Sequence, residues 1–298
     1  MYLVSPLVVA GQPTLFFGDG GSTKSMLAAF MSVLTTANVS ALGWDVEPAT
    51  ALYLDWEDSA DEYKERIRAI STGLNITPPQ VLYRRCTQSL INDLENIQRI
   101  VVEKKIGFIV IDSAAYAVGG DPLVSQFVTD YFNALRGLGV SSLTIAHQPK
   151  NLEKTKTPFG STFWTNAPRS VWQVRKTQDG EDEVVTGLFH TKANRGRLKA
   201  PIGLSIRFSG ADDRLESVTF SLTDLAKTDL STGLNAIGQI TPLLKQLGPL
   251  TVAEIAAELS MPHNTVRGVA NRYRDKLLKK GSNDKWGLIL KNPPPPPP

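Results

Sequence analysis

Residues 14–25 read Thr-Leu-Phe-Phe-Gly-Asp-Gly-Gly-Ser-Thr-Lys-Ser, an apolar run that breaks into glycines and then into Lys24-Ser25 at the head of an apolar helix. A strand, a glycine-rich turn and a helix in that order make a phosphate-binding loop. Across Gly18, Asp19, Gly20, Gly21, Ser22, Thr23, Lys24 and Ser25 the backbone N–H groups can close around a β-phosphate. Lys24 supplies positive charge to the β/γ oxygens, and Ser25 offers a hydroxyl to Mg²⁺. The helix expected from about Lys24 to Leu34 adds its N-terminal dipole. One position departs from the G-x-x-x-x-G-K-[ST] pattern, because Thr23 stands where the second glycine belongs. A Cβ there crowds the approach of backbone to phosphate. Two readings stay open: a small residue tolerated in a working loop, and a weakened site.

A chain of 298 residues has room for one large domain and a small one, and 42% hydrophobic with 20% charged residues is enough to bury a core. No run approaches the roughly 20 apolar residues of a membrane span. The start, Met-Tyr-Leu-Val-Ser-Pro, lacks a secretory pattern, so a cytoplasmic protein with no membrane partner is expected. Cys86 is the only cysteine, which excludes an intramolecular disulfide and a cysteine metal cluster, and His147, His190 and His263 are too far apart to form a metal motif. Thiol and zinc chemistry are therefore not expected. The net charge of +3 is unevenly spread: Lys245 to Lys291 carries nine Lys or Arg against four Asp or Glu, leaving −2 for the rest. A basic C-terminal stretch suits attachment to nucleic acid, and equally a solvated face.

The first 225 or so residues alternate apolar runs with helical periodicity, which predicts an α/β fold with a mainly parallel sheet covered on both faces. Strands are expected over 14–17, 51–55, 81–86, 108–112 and 142–146, and helices over 60–71, 90–104 and 124–138. After Arg169 shorter β-like runs over 170–175, 183–190, 202–208 and 217–221 predict an antiparallel extension. Residues from about 226 to 235 read as a linker, 236–292 as a second domain, and the six prolines at 293–298 as an extended tail.

Gly107-Phe-Ile-Val-Ile-Asp112-Ser113 is an apolar strand ending in a carboxylate, the Walker B form. A buried carboxylate is costly unless it meets a cation, and Mg²⁺ shared with Ser25 meets that need. Ala51-Leu-Tyr-Leu-Asp55-Trp-Glu57-Asp58 ends in three acids. Placed beside the first strand, it directs them toward a γ-phosphate. Glu57 is the candidate base for an attacking water, with Asp55 and Asp58 as competing assignments. Leu143-Thr-Ile-Ala-His147-Gln148 brings His147 or Gln148 to the same edge as a γ-phosphate sensor, and Lys150, Lys154 and Lys156 in the following loop are candidates for a nucleic-acid backbone.

In the C-terminal stretch, Thr251 and Glu254 have capping-box spacing, Ile255 and Leu259 form an apolar stripe, and Asn264 is placed to cap a second helix. On that helix Val266, Val269, Tyr273 and Leu277 are expected to turn inward, leaving Arg267, Asn271 and Arg274 on an outer face for DNA. Lys279 to Leu290 has the form of a β-hairpin, so the module resembles a winged helix. A small domain for protein contacts is the alternative.

The succession of phosphate loop, strand ending in glutamate, Walker B strand and strand ending in His147 resembles the RecA/DnaB superfamily of motor ATPases, and within it the RepA-like hexameric helicase branch. The resemblance covers about residues 5–225. It implies a RecA-like core using ATP and Mg²⁺, with Lys24 and Ser25 as the loop lysine and metal hydroxyl, Glu57 as the water-activating acid, Asp112 as the Walker B acid and His147 as the sensor. It also implies a basic finger from a neighbouring subunit. In His190-Thr-Lys192-Ala-Asn194-Arg195-Gly196, Lys192 and Gly196 match that segment, while Asn194 holds the usual arginine position and Arg195 follows it. Arg169 is a second candidate. A homo-oligomeric ring of six is implied, acting on single-stranded DNA, with duplex DNA at the C-terminal module. A nucleotide-gated DNA-binding regulator or loader, and an inert interaction protein, are the alternatives.

Overall fold

A computed structural model describes residues 1–148, 161–178, 182–194, 196–211 and 214–289. The chain forms two compact units, Met1–Thr223 and Asp224–Pro298. The proline tail lies outside the described residues.

The first unit opens with a two-stranded ribbon, β1 (Tyr2–Val4) and β2 (Val8–Val9), too short for any periodic pattern to announce. The apolar runs then become β3 (Pro13–Gly18), β4 (Thr50–Asp55), β5 (Leu82–Arg85), β6 (Ile106–Asp112) and β7 (Ser141–His147). Between and after them lie α1 (Lys24–Ala37), α2 (Ala60–Gly73), α3 (Leu94–Glu103), the short α4 (Ala114–Ala117), α5 (Ser125–Gly137) and the short α6 (Phe163–Asn166). Four more strands follow: β8 (Ser170–Gln178), β9 (Glu183–Ala193), β10 (Ile202–Ser209) and β11 (Ser217–Thr223). All nine strands from β3 onward make one sheet in the order β11-β10-β9-β8-β3-β7-β6-β4-β5. Pairings from β8 across to β5 are parallel, and those from β8 out to β11 are antiparallel. The antiparallel extension therefore begins one strand later than the sequence suggests, since β8 pairs in parallel with β3.

Alternation along β3 builds both layers of the core. Phe16 packs into a cluster with Phe30 of α1, Tyr63 of α2 and Trp172, whereas Leu15 and Phe17 join Ile109, Phe132 of α5 and Trp164 on the other face. Burial on both faces explains why these strands read as continuous apolar runs. α2 starts where its chemistry directs: the Ser59 hydroxyl accepts from the Glu62 N–H, and the Glu62 carboxylate accepts from the Ser59 N–H.

The stretch expected as a linker coils into two 3₁₀ turns, Leu225–Lys227 and Asp229–Gly233, with Leu225 and Leu230 buried. The second unit continues with α7 (Ala236–Leu247), α8 (Val252–Glu258) and α9 (His263–Arg272), then an antiparallel hairpin of β12 (Leu278–Lys280) and β13 (Trp286–Leu288). Its core gathers Ile240, Leu244, Ile255, Val266, Ala270, Leu278 and Trp286. Thr251 and Glu254 form a reciprocal capping box. Three details differ from the sequence reading. Pro262, not Asn264, is the N-cap of α9, because proline's fixed φ suits a helix entry and starts the helix earlier. Arg274 lies beyond the end of α9, its guanidinium 5.9 Å from the centroid of the Trp286 ring. Arg267, Asn271 and Arg274 are all exposed, but only the first two share the helix. Leu278 rather than Leu277 is fully buried.

Among the described residues, no helix is long and apolar enough to cross a membrane.

Candidate active site

Strand register brings the motif ends to one edge of the sheet. Gly18 pairs with His147, and Asp55 with Asp112. The condition that the acid-bearing β4 neighbours β3 is not met, since β7 and β6 lie between them. Glu57 nevertheless reaches the site through the turn after β4. Asp55 shapes that turn: its Oδ1 accepts from the N–H groups of Glu57 at 2.8 Å and Asp58 at 3.0 Å. Asp58 pairs with Arg66 at 2.9 Å. Of the three acids, two are thus engaged in holding the backbone and α2, and Glu57 is the one turned toward Ser113 and His147.

Glu57 meets residues from two other strand ends. The Ser113 hydroxyl donates to Glu57 Oε1, and His147 Nε2 lies 3.6 Å from the same oxygen. The adjacent His147 imidazole, reinforced by the hydrogen bond from Ser113, holds the Glu57 carboxyl below its ordinary range against the opposing effect of burial. Glu57 is therefore an ionised acceptor at neutral pH. The Asp112–Ser113 peptide is cis.

Asp112 is 5% exposed, and burial pushes its carboxyl above the ordinary range despite hydrogen bonds from Ser25 and Tyr53. The Tyr53 hydroxyl donates to Asp112 Oδ2 at 2.6 Å. A buried carboxylate in contact with a serine hydroxyl is a hard-oxygen pair that a divalent cation would neutralise. Mg²⁺ retains most of its waters and takes substrate phosphates, so one or two protein ligands suffice. Ser25 and Asp112 fit that group. Among the described residues, no cluster of three or more His, Cys, Asp or Glu is arranged to hold a metal without such a substrate.

The loop itself is closed around Lys24, which is 3% exposed. Its ammonium donates to Gly18 O at 3.0 Å, Asp19 O at 2.7 Å and Ser22 Oγ at 3.0 Å, and burial lowers its pKa to about 8. Gly18 cannot carry a side chain, because a Cβ there would stand 2.1 Å from Val174 O of β8. Thr23 adopts the left-handed conformation at φ 65° and ψ 8°, a region that glycine enters without strain. Its hydroxyl lies 2.5 Å from Ser22 O and 2.8 Å from Thr186 Oγ1 of β9. These bonds offset a left-handed cost of roughly 1–2 kcal/mol. Thr23→Gly should consequently leave folding stability within about 1 kcal/mol, strain relief cancelling lost hydrogen bonds, whereas Thr23→Val should destabilise by about 1 kcal/mol or more. Denaturant melts of the two variants check this, and a Val variant as stable as the parent would sink the account.

Sequence reasoning overlooked Tyr53, Thr186, and Gln173 and Arg175 of β8, which continue a chain from the sensor candidate Gln148. Gln148 N–H donates to Gly18 O at 3.0 Å, Gln173 Nε2 donates to Gln148 Oε1 at 3.2 Å, and Arg175 donates twice to Gln173 Oε1. Only the alternation of β8 hinted at Gln173 and Arg175. The finger candidates sit elsewhere. Ser170 pairs with Ala193 and lies level with Thr14, which puts Arg169 and Lys192 at the opposite edge of the sheet from the phosphate loop. Lys192 donates to Asn166 O at 2.7 Å and Pro168 O at 2.5 Å, and burial, with Arg169 and Arg136 nearby, lowers its pKa to about 8. Arg169 is exposed and donates to Gln12 Oε1 at 3.2 Å. Arg195, Lys150, Lys154 and Lys156 fall outside the described residues.

Residues 1–153, which contain the loop, Glu57, Asp112 and His147, match the family of AAA domains designated AAA_25. The chain belongs to this AAA domain family. Among solved structures, a KaiC-like protein of the hyperthermophilic archaeon Pyrococcus horikoshii OT3 aligns with a TM-score of 0.50 at 14% identity, covering 73% of this chain and 93% of that one. That likeness is one of fold, and it agrees with a RecA-like core. No curated protein matches the chain. The AAA protein is a P-loop ATPase by family, and its family works on ATP with Mg²⁺.

Proposed function

We propose that this AAA protein is an ATP-hydrolysing oligomeric motor acting on DNA in replication or recombination, of the RepA-like hexameric helicase branch. The observation that carries the reading is the convergence of Glu57 with Ser113 and His147 at the sheet edge that also bears Lys24 and Asp112. In the proposed reaction Glu57 orients the attacking water and accepts its proton, Lys24 and the loop N–H groups hold the phosphates, and His147 senses the γ-phosphate. Ser25 and Asp112 would hold Mg²⁺, which would neutralise charge on the phosphate oxygens when bound. Thr23 stands in for glycine by taking up the left-handed conformation the loop requires.

Ring formation is supported by the location of Arg169 and Lys192. At the far edge of their own sheet, they can approach a γ-phosphate only in a second copy, which suits a six-membered ring. The second unit, three helices with a β-hairpin, reads as a winged helix whose Arg267 and Asn271, with Arg274 alongside, meet duplex DNA. Lys150, Lys154 and Lys156 are proposed for single-stranded DNA within the ring.

One observation favours a nucleotide-gated DNA-binding regulator or loader instead: the Lys192 ammonium is already engaged by two carbonyls. Steady-state ATP hydrolysis with and without single-stranded DNA, run beside a strand-displacement assay and a mass measurement in solution, separates the two. Stimulated turnover, displaced strands and a mass of six chains are expected. ATP-dependent DNA binding without displacement would move the assignment to the regulator.

A further inference from the structure

The β8–β9 ribbon runs past the parallel part of the sheet. Pairing of β8 with β3 ends at Phe17 and Gln173, whereas β8 continues to Gln178, where it pairs with Val184. Residues 174–178 and 184–187 therefore lie alongside the phosphate loop, and three approaches tie them to it. Val174 O abuts Gly18, and Thr186 Oγ1 is 2.8 Å from Thr23 Oγ1. Lys176, the cross-strand partner of Thr186, holds its Nζ 3.6 Å from the point a Cβ on Gly21 would occupy.

Strand alternation and pairing set Val174, Lys176 and Thr186 on one face of the ribbon, the face toward the loop. Arg175 is turned from this role by its two bonds to Gln173 Oε1 and by its position 5.0 Å from the centroid of the Phe189 ring. Among the described residues, no carboxylate forms an ion pair with Lys176. Gly21 has a φ of +67°, so the loop turns sharply under this ammonium. A concavity of backbone N–H groups with an ammonium above its middle and another at its end attracts a polyanion at both points.

We propose that Lys176 is a second cation acting within the same subunit, binding the phosphates of the nucleotide from the β8 side of the loop. It contacts the nucleotide directly and complements Lys24, which enters from α1. The proposal rests on nucleotide binding at this loop.

Equilibrium binding of fluorescent ADP and of a slowly hydrolysed ATP analogue, with Mg²⁺, tests it in the full-length protein. Lys176→Ala should weaken both nucleotides about tenfold, flatten the dependence of affinity on salt and leave thermal unfolding unchanged, because Lys176 is exposed. Lys176→Arg should recover most of the affinity. Parent and Ala variant binding within twofold of each other would overturn the assignment while leaving the nucleotide site intact. A loss in the Ala variant that arginine does not restore would also overturn it. Parent protein that binds neither nucleotide would remove the underlying reading as well.

Discussion

Glu57→Gln should lower ATP turnover by on the order of 10²- to 10⁴-fold while leaving nucleotide affinity within about twofold. The substitution keeps the side chain's shape and an oxygen for the Ser113 hydroxyl, and removes only the ability to take a proton. Affinity should survive because the groups proposed for the phosphates are Lys24, Lys176 and the loop N–H groups, none of which the substitution touches. Two companion variants sharpen the assignment. Asp58→Asn breaks the pair with Arg66 and should act mainly on stability. Asp55→Asn retains an oxygen to accept the N–H groups of Glu57 and Asp58, so its effect on turnover should be small. Asp55 Oδ2 is buried without a hydrogen-bond partner, which makes it the one serious competitor. Turnover that survives in Glu57→Gln and vanishes in Asp55→Asn would transfer the role of base to Asp55.

The contrast between these acids also marks what a sequence can reveal. Asp112 and Lys24 were legible because a buried strand ending in a carboxylate, or a glycine turn ending in lysine, has few other uses. The strands were legible for the same reason: a run such as Phe-Ile-Val-Ile has no polar face and must be covered twice. Glu57 was named ahead of Asp55 and Asp58 from the sequence, and the turn geometry adds what the sequence lacked, that Asp55 holds the backbone and Asp58 pairs with Arg66. The link between Thr23 and Thr186 spans 163 positions, and no local pattern encodes such a contact. It depends on β8 and β9 folding back beside β3, a matter of sheet order rather than of propensity. Likewise the sequence left open whether β4 neighbours β3, because apolar runs announce strands but not their neighbours. In the second unit the capping box was read correctly from Thr251 and Glu254, whereas α9 began earlier than Asn264 suggested. There the proline's backbone constraint outweighed a side-chain cap.

Lys24→Met should stabilise the nucleotide-free protein while abolishing its function, the sharpest available test of how the loop is built. Burial lowers the Lys24 pKa from the ordinary 10.5 to about 8, so the folded state holds a charge it would rather lose. At pH 7 both folded and unfolded chains are protonated, and the penalty is fully in force; at 1.36 kcal/mol per pK unit it is about 3 kcal/mol as an upper figure. Between pH 8 and 10.5 the unfolded chain keeps a proton that the folded one has shed. Stability of the parent therefore rises with pH across that window, and above it the penalty is gone. Methionine fills similar volume without the charge. The carbonyls it abandons are not orphaned, since Gly18 O also accepts from Gln148 N–H and Asp19 O from Ser22 N–H. A gain of about 1–3 kcal/mol at pH 7 is expected, raising the midpoint of thermal unfolding by several degrees and shrinking toward zero by pH 10.5. ATP affinity should fall by on the order of 10²- to 10⁴-fold, because charge-assisted bonds to phosphate are worth about 1.5–3 kcal/mol each. Denaturant unfolding of both proteins at pH 7 and pH 10 measures the difference. A destabilised Met variant at pH 7, or a gap that does not close with pH, would mean the ammonium is a net structural support. Stability gained together with binding lost would show instead that the loop stores the cost of a desolvated cation until phosphate arrives to share it.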